Sequence, residues 1–283
     1  MMLRPHSTSS VTLLLLVMTA CYGTRTTNPS ERAQPSPEAR TTPETVDVLL
    51  DHFHIESIVV PRARAFTRQA ALLIGDLGDD ELERLVAAVQ DGFEAGRLRD
   101  DVAGHMLERA PDGYIEEIAG WVGAGASAEV DRQARAYRPP VPLTEWLETY
   151  TEVPPTAERV RLVARWSEAR QEGTFFLLLE QALDEAAYEV WGAMRQTAGS
   201  FQSLSGDVFF ARLNQSSMAA VVTALHAHEP ISDELMLAST VEYESESGQW
   251  FVEAYQLAVA EALRAAGLRV AETLRRSGIS APE

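Results

Sequence analysis

Apolar residues fall three and four apart along most of this chain. The clearest series is Val252, Tyr255, Val259, Leu263, Ala266, Val270, Leu274. No charged residue lies on that stripe, so it predicts one long amphipathic helix, with Gly278 offered as a C′ stop. Phe176, Leu179, Leu183, Ala186, Val190 and Met194 repeat the spacing, as do Leu82, Val86, Val89 and Phe93. Weaker periodicity predicts further helices over residues 45–57, 61–76, 97–110, 112–124, 126–138, 156–171, 205–227 and 232–245. Pro61, Gly78, Pro111, Pro139-Pro140 and Pro154-Pro155 separate them, because proline lacks the amide that a helix interior requires. Alternating runs of β-branched residues are nearly absent. The expected fold is all-α, a helical bundle.

The break Arg138-Pro139-Pro140-Val141-Pro142 divides the pattern near its middle. It suggests a helical subdomain over 45–138, a Pro-rich linker over 139–155 and a second helical subdomain over 156–283. Each side opens on a charged helix (Glu44 to Glu56; Glu158 to Gln171), passes through a long apolar one and closes on a short helix, a break and another helix. Trp121-Val122-Gly123-Ala124-Gly125 echoes Tyr243-Glu244-Ser245-Glu246-Ser247, an aromatic followed by small residues and a helix start. The two sides therefore read as diverged repeats of one unit.

The N-terminal residues follow a different rule. Met1 to Ser10 are polar with one arginine, Arg4, and Val11 to Met18 form a short apolar run ending in Thr19-Ala20-Cys21. This is the layout of a secretory signal, over residues 1–20. The apolar run is well short of the roughly 20 residues that cross a bilayer as a helix. Met18 is too large for the −3 position of an ordinary cleavage site after Ala20. Met18-Thr19-Ala20-Cys21 instead resembles the bacterial lipobox, which implies acylation, with palmitate among the chains, at Cys21. Cys21 is the chain's single cysteine, so an intramolecular disulfide is excluded. A thiolate is the side-chain nucleophile such alkylation needs, and several acyl chains hold a protein where one is marginal. Residues 21–44, rich in Thr, Ser, Pro and Arg, lack the aliphatic groups to form a core and read as a tether. Tyr22, where some lipoproteins carry an inner-membrane Asp, points to the outer membrane, facing the periplasm.

Charge narrows the partners. Net charge is −18, and every cation is arginine. Nucleic acid needs clustered cationic side chains, so it is not an expected partner. Anionic headgroups are equally unsuited, which leaves the N-terminal acyl chains as the contact with the membrane.

One motif carries family content. Ile231 to Glu253 begins with Glu234-Leu235, forms a helix, then reads Tyr243-x-Ser245-x-x-Gly248. It resembles a family of exported bacterial helical proteins of unknown function, whose motif is an aromatic pair followed by Ser-Pro, one residue and Gly. Glu242 stands where that family has its first aromatic, and Glu246 where it has Pro. The resemblance implies an exported helical fold and no particular chemistry. Physically, Ser245 is a candidate N-cap, Glu246 suits N1 through the helix dipole, and Gly248 permits close packing. Tyr243, with Trp121 in the echoed segment, is the candidate contact for a ligand or partner.

Familiar chemistries find little support. His52-x-His54 and His226-x-His228 place their rings about 200° apart on a helix, which prevents chelation from one face. No metal or cofactor is expected. A Gly-x-Ser-x-Gly elbow and a phosphate-binding glycine loop are both lacking. Acid pairs such as Asp79-Asp80 and Glu116-Glu117 suit helix N-termini. Phe175-Phe176-Leu177-Leu178-Leu179 marks a helix that is central or lines an apolar groove. The leading expectation is a non-enzymatic interaction or scaffold module of the cell envelope, whose partner is an unidentified envelope protein. A binder of a lipid or other apolar ligand is the alternative, and an envelope hydrolase the third.

Overall fold

A computed structural model describes residues 43–52, 61–62, 65–66, 77–195 and 206–277 of the chain. Cys21, the signal and nearly all of the tether lie outside them, as does Gly278. The described residues form eleven helices and no strand, an all-α bundle. The helices are α1 (Pro43–His52), α2 (Asp79–Gly92), α3 (Ala95–Arg109), α4 (Tyr114–Ala124), α5 (Ala126–Ala136) and α6 (Leu143–Glu152). They continue with α7 (Ala157–Ala169), α8 (Glu172–Arg195), α9 (Gly206–Ala227), α10 (Asp233–Tyr243) and α11 (Glu246–Arg276). None of them is both long and apolar enough to cross a membrane.

The chain divides into a small unit containing Val141–Pro155 and a large one containing residues 39–140 and 156–283. Helix α6 occupies ten residues of the stretch read as a Pro-rich linker over 139–155. Its prolines mark the helix boundaries. Pro142 precedes the first helical residue, where its missing amide costs nothing, and Pro154 disfavours a helical Val153. Trp146 and Tyr150, one turn apart, pack with tilted rings whose centroids are 4.9 Å apart.

In the large unit α11 is the central element. All seven residues of its predicted stripe are buried, and they pack against α2, α3 and α4 from one side of Pro139-Pro140 and α8 and α10 from the other. The flanks expected as subdomains 45–138 and 156–283 thus contribute to one shared core. Their helix lengths differ: 24, 22 and 31 residues for α8, α9 and α11, against at most 15 among the described helices before Pro139. At Gly267 the α8 and α11 backbones approach so closely that a Cβ would lie 2.4 Å from that of Ala186. Small residues at this crossing let the helices bury their apolar faces against each other. Truncating a fully buried leucine such as Leu263 removes that contact at a cost of about 2–5 kcal/mol.

Ion pairs lock the periphery. Arg99 bridges Asp47 and Asp51 of α1, Arg109 grips the Glu261 carboxylate with two nitrogens at 2.8 and 3.0 Å, and Arg269 joins Asp101 to the Gly92 carbonyl. The breaks need no glycine or proline where a side chain can cap. Glu94 accepts hydrogen bonds from the Gly96 and Arg97 amides and starts α3 directly after α2.

Candidate functional site

The two segments that echo one another in the sequence meet in space. Trp121, near the end of α4, and Tyr243, at the end of α10, lie edge to face with ring centroids 5.1 Å apart, and Trp121 also meets Phe251. Each belongs to a helix–break–helix corner, α4 to α5 and α10 to α11. Each corner reaches across to the start of the other's second helix. Glu242 accepts hydrogen bonds from the Ala126 and Ser127 amides at 2.8 and 2.7 Å, capping α5. In the opposite direction, the Ser247 hydroxyl in the first turn of α11 donates to Glu117 of α4 at 2.8 Å. Glu242 supplies the cap that Gly125 cannot make for itself. A Cβ on Gly125 would lie 2.4 Å from the carboxylate. Glu242 therefore has a local use.

The motif behaves as its residue types dictate. Ser245 is the N-cap of α11 and accepts from the Gly248 amide at 3.0 Å; Glu246 takes N1. Gly248 lies against the end of α10, where a Cβ would sit 2.4 Å from the Glu242 carbonyl and 2.8 Å from that of Tyr243. Tyr243 itself is fully buried, and its hydroxyl faces Ser127 without a well-formed hydrogen bond. Burial raises its pKa well above the ordinary phenol value.

Beneath Tyr243 lies a charge cluster that the sequence did not announce. The α7–α8 break consists of Arg170 and Gln171, and Gln171 adopts the left-handed region with φ of 49°. This turn carries the Arg170 guanidinium inward, 4.4 Å from the Trp166 ring centroid and 5.2 Å from that of Tyr243. Asp131 and Glu172 approach it at 3.8 and 3.5 Å. Burial opposes the arginine's charge, but Tyr243, Glu172 and Asp131 outweigh it and leave its pKa above the usual value. Burial likewise raises Glu172, against the pull of Arg170 and a 3.0 Å hydrogen bond from Ser167. Two glutamines of α11 secure the surrounding helix ends. Gln249 donates to the Ala169 and Tyr243 carbonyls, and Gln256 to those of Arg170 and Gln171. Gln256 is 3% exposed, a polar residue inside an apolar surface, and that conflict was the one available sequence signal for the cluster.

A hydroxyl relay continues outward. Trp166 Nε1 donates to Ser239 at 3.1 Å, and Ser239 shares a 2.9 Å hydrogen bond with Ser127. On its other side Trp166 packs against the tilted His228 ring, whose Nδ1 lies 2.9 Å from the Ala224 carbonyl. Desolvation lowers the His228 pKa to about 4, so the ring is neutral near pH 7. Among the described residues no three His, Cys, Asp or Glu are grouped to hold an ion, and His54 lies outside those residues.

Chemically, this arrangement fixes angles. Carboxylates, serines and glutamines terminate helices, and one arginine neutralises two acids between aromatic faces. Tyr243, fully buried, and Trp121, half-buried, both singled out as contacts, form the pivot between the two corners. The fold and this junction define an all-α bundle held by a buried polar knot. The chain matches no family model, no curated protein and no solved structure.

Proposed function

We propose that this chain is a lipid-anchored envelope protein, held through Cys21 and a short tether, whose helical body is a non-enzymatic interaction or scaffold module. One observation carries the reading: the polar side chains that converge at the candidate motif are engaged in fastening helix ends to one another. Glu242 caps α5, Ser247 reaches Glu117, and Gln249 and Gln256 cap the breaks after α10 and α7. Such groups give a rigid frame, and rigidity favours a protein that presents a surface, since less freedom is lost on binding. The aromatic motif is then a fold determinant. Resemblance to the exported helical family supports the compartment, and the Met18-Thr19-Ala20-Cys21 segment supports the anchor.

Two measurements test this. Metabolic labelling with an alkyne fatty acid should mark the wild-type chain and not Cys21→Ser, and equal labelling of both would refute the anchor. In-cell crosslinking should capture protein partners that are lost in Cys21→Ser. A body that turns over an envelope substrate, with activity lost on mutating acidic residues outside the ion pairs, would refute the non-enzymatic reading.

A further inference from the structure

Helix α9 differs from the rest of the bundle. Its 22 residues contain one acid, Asp207, and one arginine, Arg212, in a chain that is 23% charged with a net charge of −18. Its first ten residues, 206–215, are exposed except for Phe209 and Leu213, which are partly covered. Val208 is 56% and Phe210 62% exposed. Farther along, Ala220, Val221, Ala224 and Leu225 turn inward where α9 meets α7 and α8. The outward face carries Val208, Ala211, Gln215 and Met218, spaced three, four and three apart. That is the spacing of a coiled-coil seam.

Asp207 and Arg212 flank this seam on opposite sides, five residues apart. In a parallel helix pair the residue before one seam position lies beside the residue five further along the partner helix. A second copy thus sets each Asp207 against the other copy's Arg212, twice by symmetry. Among the described residues neither side chain makes an ion pair or hydrogen bond within the chain, whereas most of the arginines there do. We propose that α9 pairs in parallel with α9 of a second copy of this chain through Val208, Ala211, Gln215 and Met218, with Asp207 facing Arg212 across the seam. Charge also selects the place. Two chains of net charge −18 repel, so contact is favoured where the surface is neutral and the flanking charges are self-complementary. Alanine in the seam lets the helices approach closely.

One helical face is less than the roughly 1,000 Å² of a stable interface, so association is weak in solution. The inference deepens the scaffold reading and rests on it, because anchoring in a membrane raises the effective concentration of copies. The two fail separately: loss of self-association leaves crosslinks to other proteins intact.

The test is sedimentation velocity on the full chain carrying Cys21→Ser, from about 10 μM to about 1 mM, the range of a contact this small. A dimer should grow in with concentration. Asp207→Arg and Arg212→Asp should each weaken it about tenfold, since two attractive pairs become repulsive. Together, D207R/R212D should restore it to within about threefold, because the pairs re-form with signs exchanged. Circular dichroism identifies any variant that fails to fold, and Leu237→Asp, on the exposed face of α10, should leave association unchanged. A monomer at every concentration overturns the proposal, as does a double variant no better than the singles. So does binding to phosphatidylcholine vesicles, sensitive to Val208→Asp, by a chain that stays monomeric.

Discussion

Replacing Gly248 by alanine is the sharpest probe of the interlocked corners. The added Cβ would lie 2.4 Å from the Glu242 carbonyl oxygen, 2.8 Å from that of Tyr243 and 2.9 Å from the Tyr243 Cα. All three are backbone atoms, and they cannot rotate away. The end of α10 is further held by Gln249, which donates to the Tyr243 carbonyl, and by the Ser245 hydroxyl, which donates to that of Glu242. Relief requires moving α10 off α11, which strains the core by about 1–3 kcal/mol and weakens the Ser245 cap by up to about 1 kcal/mol. Alanine's better helix propensity returns about 0.5–1 kcal/mol, leaving a net loss of about 1–3 kcal/mol. Gly120→Ala is the internal control. It lies in α4, where a Cβ meets nothing within 4 Å, and should stabilise by about 0.5–1 kcal/mol. Urea titration followed by circular dichroism measures both as shifts of midpoint at constant slope. If Gly248→Ala is neutral, or if both variants shift the same way, close approach is not why glycine stands there.

Glu242→Ala should destabilise by about 1–2 kcal/mol in the same titration, with faster hydrogen exchange at the Ala126 and Ser127 amides it caps; unchanged exchange there would count against the cross-corner cap. Arg170→Met leaves Glu172 and Asp131 without their shared cation and should cost about 3 kcal/mol or more, whereas adding Glu172→Leu should recover part of that loss. For His228, the folded pKa of about 4 lies below the ordinary 6.5, so the unfolded chain takes up the proton first. Its contribution is intact above pH 6.5 and is lost as pH falls toward 4, by about 3 kcal/mol at most. Urea midpoints for wild type and His228→Phe should therefore diverge at pH 7.5 and converge near pH 4.5, and parallel curves would refute the half-buried neutral ring.

Some of this was legible before any coordinates. A stripe spaced three and four apart dictates a helix and its buried face, so Val252 to Leu274 and the placement of α11 followed from the sequence. Caps are also local, and Ser245, Glu246 and Gly248 perform the roles their residue types predict. Prolines mark helix ends, and within the stretch 139–155 they stand at both ends of α6, a helix that their clustering alone did not indicate.

What the tertiary structure alone decided is how distant residues pair. Glu242 caps a helix that begins 116 residues earlier, Ser247 reaches Glu117 across 130, and Arg170 finds Asp131 on a helix that nothing in its own sequence neighbourhood designates. The Trp121–Tyr243 contact is of this kind too: the resemblance between their segments suggested equivalence, but not that the two would touch. Periodicity and capping depend on residues within a turn or two and are written in consecutive letters. Partners across the core depend on how faces dock, which is set by the shapes of all the helices together.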